Sequence, residues 1–385
     1  MTLAPPLLAQ VRGCGPTGAL AALALAQAGW SVRVQDPSTP AELTARTRAY
    51  ALTHSSRRLL QQLGPWAELQ ERLVPFSELN LRDLGSAAAQ VTFSTRDLSR
   101  ANGGEPIGWI ALHEALMTTL LGALERHPGV SLALGAAATE EPGHEPALIV
   151  AADGPQSPSR DSLAIGCWRW HYRQNCLTAQ VQLRGTAPHQ AWELFRPEGP
   201  MALLPLGGAR VQLVWSASPE RCRALELLGP DAFLDHLAAA LPERFQPDAC
   251  LVQPRSFAVG LTLAHRLQRG HTVLVGESAH SSHPVGGQGL NLCWRDVATL
   301  HRLALRVQRG QLTPGALPRR YALRRWPDLL LTLAATDLLV RVFSNRAALL
   351  LPLRRAALGA LLRLPLLKRL SLGVMTDGPC RLLRH

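Results

Sequence analysis

The chain has 385 residues, 47% of them hydrophobic and 18% charged, with 40 lysines and arginines against 28 aspartates and glutamates, a formal net charge of +12. That composition excludes a disordered or low-complexity chain and supports two closely joined domains. The excess is local: His301 to His385 holds sixteen basic residues and three acidic ones, a tail suited to phosphate or an anionic membrane face; read plainly, it is a solvated arginine-rich surface, and no nucleic-acid partner is expected.

In chain order, "LLAQVRGCGPTGALAALALAQAGWSVRVQD" reads as a strand, a tight glycine turn, a helix ending near Gly29 and a second strand closing on Asp36, a βαβ unit. The apolar stretch after Arg12 imitates a secretory signal, but Gly13, Gly15, Pro16 and Gly18 at its head fit a nucleotide turn better than a leader. "RTRAYALTHSSRRLLQQLGPWAEL" is a loop and then a helix stopped by Gly64-Pro65. "FSELNLRDL" and "AAAQVTF" read as a hairpin, "GWIALHEALMTTLLGALERHPG" as a capped helix, and "ALIVAADGPQSPSR" as a buried strand entering a turn. From about Asn175 to Leu267 the runs alternate as in a sheet, interrupted by one helix around 230–241. "HTVLVGESAH" then returns to a buried strand, and after Asn291 the pattern is helical to the end.

This order predicts an α/β chain in which residues 1–75, 101–174 and 268–327 form a discontinuous nucleotide-binding domain. Residues 76–100 and 175–267 form an inserted β-sheet domain, and 328–385 a helical C-terminal region. Asp337, Arg341, Arg354 and Arg355 interrupt the most apolar stretches, so no run reaches the ~20 residues of a membrane span. Seven cysteines, odd in number and never spaced as CxxC, point to reduced thiols in a cytoplasm and away from a disulfide framework or a structural zinc.

Gly13-Cys14-Gly15-Pro16-Thr17-Gly18 satisfies GxGxxG between a strand and a helix, with an acid, Asp36, closing the next strand. The first glycine makes the turn, the second admits a pyrophosphate to the backbone, the third lets helix and strand approach, and the acid accepts ribose hydroxyls. The second glycine-rich stretch is "GESAHSSHPVGGQGLNLCWRDV", Gly276 to Val297. Its histidines, His280 and His283, are read as packing residues of the loop, because a zinc site needs three or four converging ligands and a glycine loop holds them poorly; no metal is expected. Gly286, Gly287 and Gly289 instead open the backbone, so that N–H groups of Gly289, Leu290 and Asn291 at a helix N-terminus can face negative charge.

This stretch resembles the GDAAHxxxPxxGQGxN segment of the class A flavin monooxygenases, FAD enzymes of the hydroxybenzoate hydroxylase fold. "AADGPQSPSR" resembles their DG motif, with Asp153, Gly154, Ser157 and Arg160 in place. "RAYALTHSSRRLLQQLGPW", "FRPEGPMALLPL", "HPVGGQGLNLCWRDV", "TDLLVRVFSN" and "LPLLKRL" are similar to the ubiquinone-biosynthesis hydroxylases of polyprenylated phenols. The resemblance implies an FAD-binding Rossmann-like domain with an inserted β-sheet substrate domain and a helical C-terminus. It places Gly13, Gly15, Gly18, Asp36, Arg48, His113, Asp153, Gly154, Arg160, Glu277, Pro284, Gly286, Gly287, Gly289, Leu290 and Asn291 at the cofactor. Arg48 stands where the family has an arginine at the flavin edge, His113 near the adenine side, and Arg160 where pyridine nucleotide is handled. Glu277 departs from the family's aspartate.

The implied reaction uses NADPH or NADH, FAD and O2 through a C4a-hydroperoxyflavin to hydroxylate a lipophilic phenol, the protein placing the ring and excluding water. No catalytic acid or base is named. Phe195, Met201, Leu203 and Leu204 read as core or as a substrate wall. The expected place is the cytoplasm, with the basic leucine-rich tail suited to peripheral contact at the inner membrane face, and the resemblance adds partners in a biosynthetic complex. Three rivals stand beside this reading. Trp168-Arg169-Trp170 evokes a flavin halogenase, but the following Ile-Pro is absent and the only lysine, Lys368, lies far downstream. The others are a monooxygenase or reductase of another aromatic or prenyl substrate, and a non-catalytic flavoprotein-like subunit.

Overall fold

A computed structural model describes residues 6–85, 90–99, 102–136, 145–344 and 348–382. Ala87, Ala88 and Ala89 of the expected hairpin, and Asn345, Arg346 and Arg384 of the tail, lie outside the described residues.

Six strands lie side by side in the order Gln268–Arg269, Thr272–Leu274, Leu148–Ala151, Leu8–Arg12, Ser31–Asp36 and Val130–Leu134. All pair in parallel except the first two. Against this sheet packs the helix Pro16–Gln27, whose residues from Gly18 to Ala26 are all buried, as suits a helix covered by the sheet and by Gln288–Gln308. Gly29, at φ 86°, ends it where the sequence placed the stop.

A second sheet of eight strands runs His280–Ser281, Gln246–Ala264, Cys167–Arg184, Arg210–Ala217, Met201–Pro205, Gln190–Phe195, Glu78–Asp83 and Gln90–Ser94. One face, with Trp192, Leu194, Leu213 and Trp215, is covered by Pro219–Glu226 and Pro230–Ala240. The sequence foresaw only the later of these two helices, because Glu220, Arg221 and Arg223 mask the short apolar stripe of Cys222 and Leu225. The other face, with Ala191, Phe195 and Leu206, packs against Val285, Val340 and Phe343. Cys167–Arg184 runs unbroken through position 174, but it bulges between His171 and Asn175, with Arg173 at φ 54°.

A third sheet, Ala49–Leu52, Gly108–Leu112 and Val74–Phe76, corrects two expectations. Part of the supposed loop before Thr53 is a strand, and "GWIAL" is a strand rather than the first turn of a helix, which begins at His113. A short apolar run buried on both sides has no period to tell strand from helix, and Trp109 and Ile110 were the cue. The C-terminal helices are Leu317–Phe343, Leu351–Arg363, Pro365–Asp377 and Pro379–Leu382. They leave Leu338, Leu353, Leu362 and Leu366 more than half exposed, as is Leu349 in the turn before Leu351. Among the described residues no helix is long and apolar enough to cross a membrane.

Candidate active site

The first glycine turn has the geometry its motif requires. Gly13 sits at φ 96°, and a Cβ there would stand 2.4 Å from the Ala152 carbonyl oxygen; one on Gly18 would stand 1.9 Å from that of Gly13. Above Gly15 a Cβ would meet nothing within 4 Å, so that side is open. Pro16 occupies the first helical turn, where its missing N–H costs nothing. Asp36 accepts the Cys14 N–H at 2.6 Å and the Ser38 N–H at 2.8 Å, so it braces the turn it was expected to serve.

Two further turns meet this one. Asp153 accepts the Ser157 hydroxyl and the Ser159 N–H and so shapes the start of Pro158–Ser162, while a Cβ on Gly154 would meet nothing. Arg160 is buried, and its guanidinium donates to the carbonyls of Pro155 and Ser278, each at 3.1 Å. It ties the DG turn to the turn Gly276–Ser278 and does not project toward solvent as a nucleotide-binding arginine would. Ser278 donates to the Ala151 carbonyl at 2.6 Å, and Asp296 accepts the Gly276 N–H at 2.8 Å. Glu277, between these two anchored residues, is exposed.

Asp296 is the centre of a buried network. It also accepts from His280 Nε2 at 2.8 Å and Arg325 Nε at 2.6 Å, and Arg325 reaches Asp328, which pairs with Arg295. His280 and Arg325 hold its carboxyl down at about 2 against the burial that would raise it. His280 is therefore a structural partner of Asp296. Among the described residues no group of three or more histidines, cysteines or acids could hold a metal ion.

The third glycine loop starts its helix earlier than the sequence suggested. Gly286 at φ 69° and Gly287 at φ 61° lead into Gln288–Gln308, and the Gly287 N–H bonds to the Pro284 carbonyl. The N–H groups without an intrahelical partner are thus those of Gln288, Gly289 and Leu290, while Asn291 lies one turn in. Asn291 acts through its side chain: Oδ1 accepts from Thr53 N, Thr53 Oγ1 and Ser56 Oγ, and Nδ2 donates to the carbonyls of Ala51 and Gly287. Gln288 donates to Gly286 O and Met375 O, so the C-terminal helices also hold the loop. Trp294 Nε1 donates to Pro16 O at 3.1 Å, which fixes this helix start beside the first one.

His113 is buried; its Nε2 donates to Leu43 O at 2.7 Å, which leaves Nδ1 to accept the Tyr50 hydroxyl at 2.9 Å. Both nitrogens are occupied, and burial keeps the ring neutral. Arg48 is exposed and lies 5.4 Å over the Phe257 ring, facing the large sheet. His283 is fully buried, edge-on to Tyr172, with burial driving it down to about 4; Val285 N–H donates to Nδ1, and Nε2 has no partner among the described residues. Lys368 is paired with Asp97 at 2.8 Å, which removes the lysine a halogenase would use. A groove of about 490 Å³ lies beside Tyr172, lined by Trp170, Arg173, Val340, Arg341 and Ser344.

Sequence reasoning missed Glu193. Its strand is buried on both faces, so a single acid among apolar residues was the only signal. The Gly286 N–H donates to its Oε2 at 3.3 Å, and burial pushes the carboxyl up to about 7.

These residues fit FAD. Two helix N-termini joined by the Trp294 bond supply donors for anionic groups, Gly15, Gly154, Gly286 and Gly289 leave open backbone, and His283 Nε2 and Ser282 Oγ are buried polar atoms without partners among the described residues. A family model described as "FAD binding domain" matches residues 121–326. Ubiquinone hydroxylase UbiL of Rhodospirillum rubrum is 34% identical over 95% of this chain and 90% of its own. The 3-demethoxyubiquinol 3-hydroxylase of Escherichia coli is 31% identical over 97% of this chain and 98% of its own. The solved structure of PqsL, a probable FAD-dependent monooxygenase from Pseudomonas aeruginosa, shares the fold with a TM-score of 0.75 at 20% identity, covering 92% of this chain and 100% of that one.

Proposed function

Because the chain belongs to the FAD-binding family of flavin monooxygenases, among the hydroxylases of ubiquinone biosynthesis, we propose that it hydroxylates the ring of a prenylated phenol, with NAD(P)H as reductant and O2 as the oxygen source. FAD supplies the redox chemistry when bound. Gly13, Gly15 and Gly18 with the first helix N-terminus receive its pyrophosphate, Asp36 and the exposed Glu277 its sugar hydroxyls, and the N–H groups of Gln288, Gly289 and Leu290 its ring charge. Phe195, Val285 and Phe343 pack together between loop and sheet and exclude water there. The groove beside Trp170 and Tyr172 suits the isoprenoid tail.

The observation that carries the reading is the pair of joined helix N-termini beneath open glycines. Deletion of the gene followed by mass spectrometry of lipid quinones tests it. A prenylphenol precursor should accumulate; an unchanged quinone profile overturns the substrate while leaving FAD binding intact. In the purified FAD-loaded protein, prenylphenols should accelerate NAD(P)H oxidation more than simple phenols do.

The exposed leucines among arginines on the C-terminal helices support contact with an anionic lipid face. The full chain should co-sediment with vesicles containing phosphatidylglycerol, and Leu366→Asp with Leu370→Asp should abolish this; unchanged sedimentation of the double variant removes the idea.

A further inference from the structure

We propose that Glu193 binds the phenolic hydroxyl of the substrate and accepts its proton while the ring is hydroxylated. This rests on the reading that the substrate is a phenol.

Glu193 stands on Gln190–Phe195 between Ala191 and Phe195, the two residues of that strand packed with Val285 of the glycine loop. It therefore looks from the large sheet toward the loop assigned to the flavin ring. It is 6% exposed, it forms no ion pair among the described residues, and the Gly286 N–H is the one donor its carboxylate receives there. A buried carboxylate with one long hydrogen bond is costly, and simple packing would be served by an apolar side chain. A second donor, such as a phenol O–H at Oε1, completes its bonding. The raised carboxyl, at about 7, lets one group both attract and release a proton at physiological pH.

The other groups facing it are shifted away from that range by burial or are engaged by partners of their own. Cys176, on the strand Cys167–Arg184, is pushed up to about 12 by burial, and Tyr172 on the same strand is raised as well. His283 on the loop is down at about 4. Arg48 lies 5.4 Å over the Phe257 ring of the large sheet. Glu78 on the neighbouring strand is bound by Gln190, Asp337 and Arg341 on Leu317–Phe343 pair with each other, and Arg354 on the next helix donates to Val342 O.

In the step, the phenolic O–H bond breaks, the proton moves to Glu193, and the electron pair stays on the phenol oxygen. This enriches the ring that takes up the oxygen atom. Glu193 returns the proton when the product oxygen is reprotonated.

The test uses FAD-loaded full-length protein with 2-geranylphenol as probe. Glu193→Gln keeps an acceptor for Gly286 N–H and removes the charge. For the wild type, hydroxylated product formed per NAD(P)H oxidised should rise through an acidic limb near neutrality. In Glu193→Gln that limb should vanish and product formation fall about 100-fold, with FAD content and the rate of flavin reduction unchanged. Glu193→Asp should retain the limb at reduced yield. An unchanged pH profile and yield in Glu193→Gln, or Glu193→Asp behaving like it, overturns the assignment and leaves Glu193 as an anchor for Gly286. A wild type that hydroxylates no prenylphenol overturns the substrate reading instead.

Discussion

Asp296 and Glu193 are both buried carboxylates, and the surroundings of each send it the opposite way. Asp296, between the turn Gly276–Ser278 and the helix Leu317–Phe343, receives Gly276 N–H, His280 and Arg325 and is held at about 2. Glu193, on the sheet face, receives Gly286 N–H alone and rises to about 7. Burial is common to both; the number and charge of donors decides the sign. The Asp296 carboxylate thus has charged donors to answer its burial, and the Glu193 carboxylate has one neutral donor, a difference expected between a group that holds the scaffold and one kept for chemistry.

Three measurements test that contrast. The largest effect is expected at the satisfied centre: Asp296→Asn leaves the Arg325 guanidinium buried without its second counter-charge and should cost about 3–5 kcal/mol in denaturant unfolding, with loss of bound FAD. A cost under about 1 kcal/mol would show the network to be slack. Next comes Glu193. Its folded value lies above the ordinary 4.5, so the folded state bears no penalty below that pH and the full one above about pH 7. Glu193→Gln should therefore match the wild type in stability near pH 4 and exceed it by about 3 kcal/mol near pH 8. Equal stabilities at both pH values would mean that the carboxylate is better solvated than its burial implies. Asp337 lies between the extremes, with its side chain 24% exposed and paired with Arg341 while it accepts the Tyr172 hydroxyl at 2.9 Å. Tyr172→Phe should cost only about 1 kcal/mol by thermal melting.

Much of the cofactor side was legible because glycines report a backbone need that no other residue meets: Gly13, Gly18 and Gly287 are where a Cβ would strike something. Roles that depend on distant partners were not. His280, Asp296 and Arg325 are scattered along the chain and converge only when the strand His280–Ser281 and the helices Gln288–Gln308 and Leu317–Phe343 pack. Asn291 was visible in its motif, but its hold on Thr53 and Ser56 was not. His113 and Arg160 were placed at the cofactor by analogy; His113 bonds to the Leu43 carbonyl and the Tyr50 hydroxyl, and Arg160 to the carbonyls of Pro155 and Ser278. Glu193 escaped because a strand buried on both faces shows no alternation against which an acid would stand out.

The order of strands in the six-stranded sheet has a consequence for how the protein is made. Thr272–Leu274 pairs beside Leu148–Ala151 only after five of the eight strands of the second sheet, Cys167 to Ala264, have been synthesised between them. The nascent nucleotide-binding half therefore leaves the ribosome with an open strand edge and without Gly276, Gly287 or the second helix N-terminus. Such non-local closure is slow and exposed to aggregation. Cofactor capture then becomes a late event, and a supply of flavin at the end of synthesis would act as a folding aid as much as a reagent.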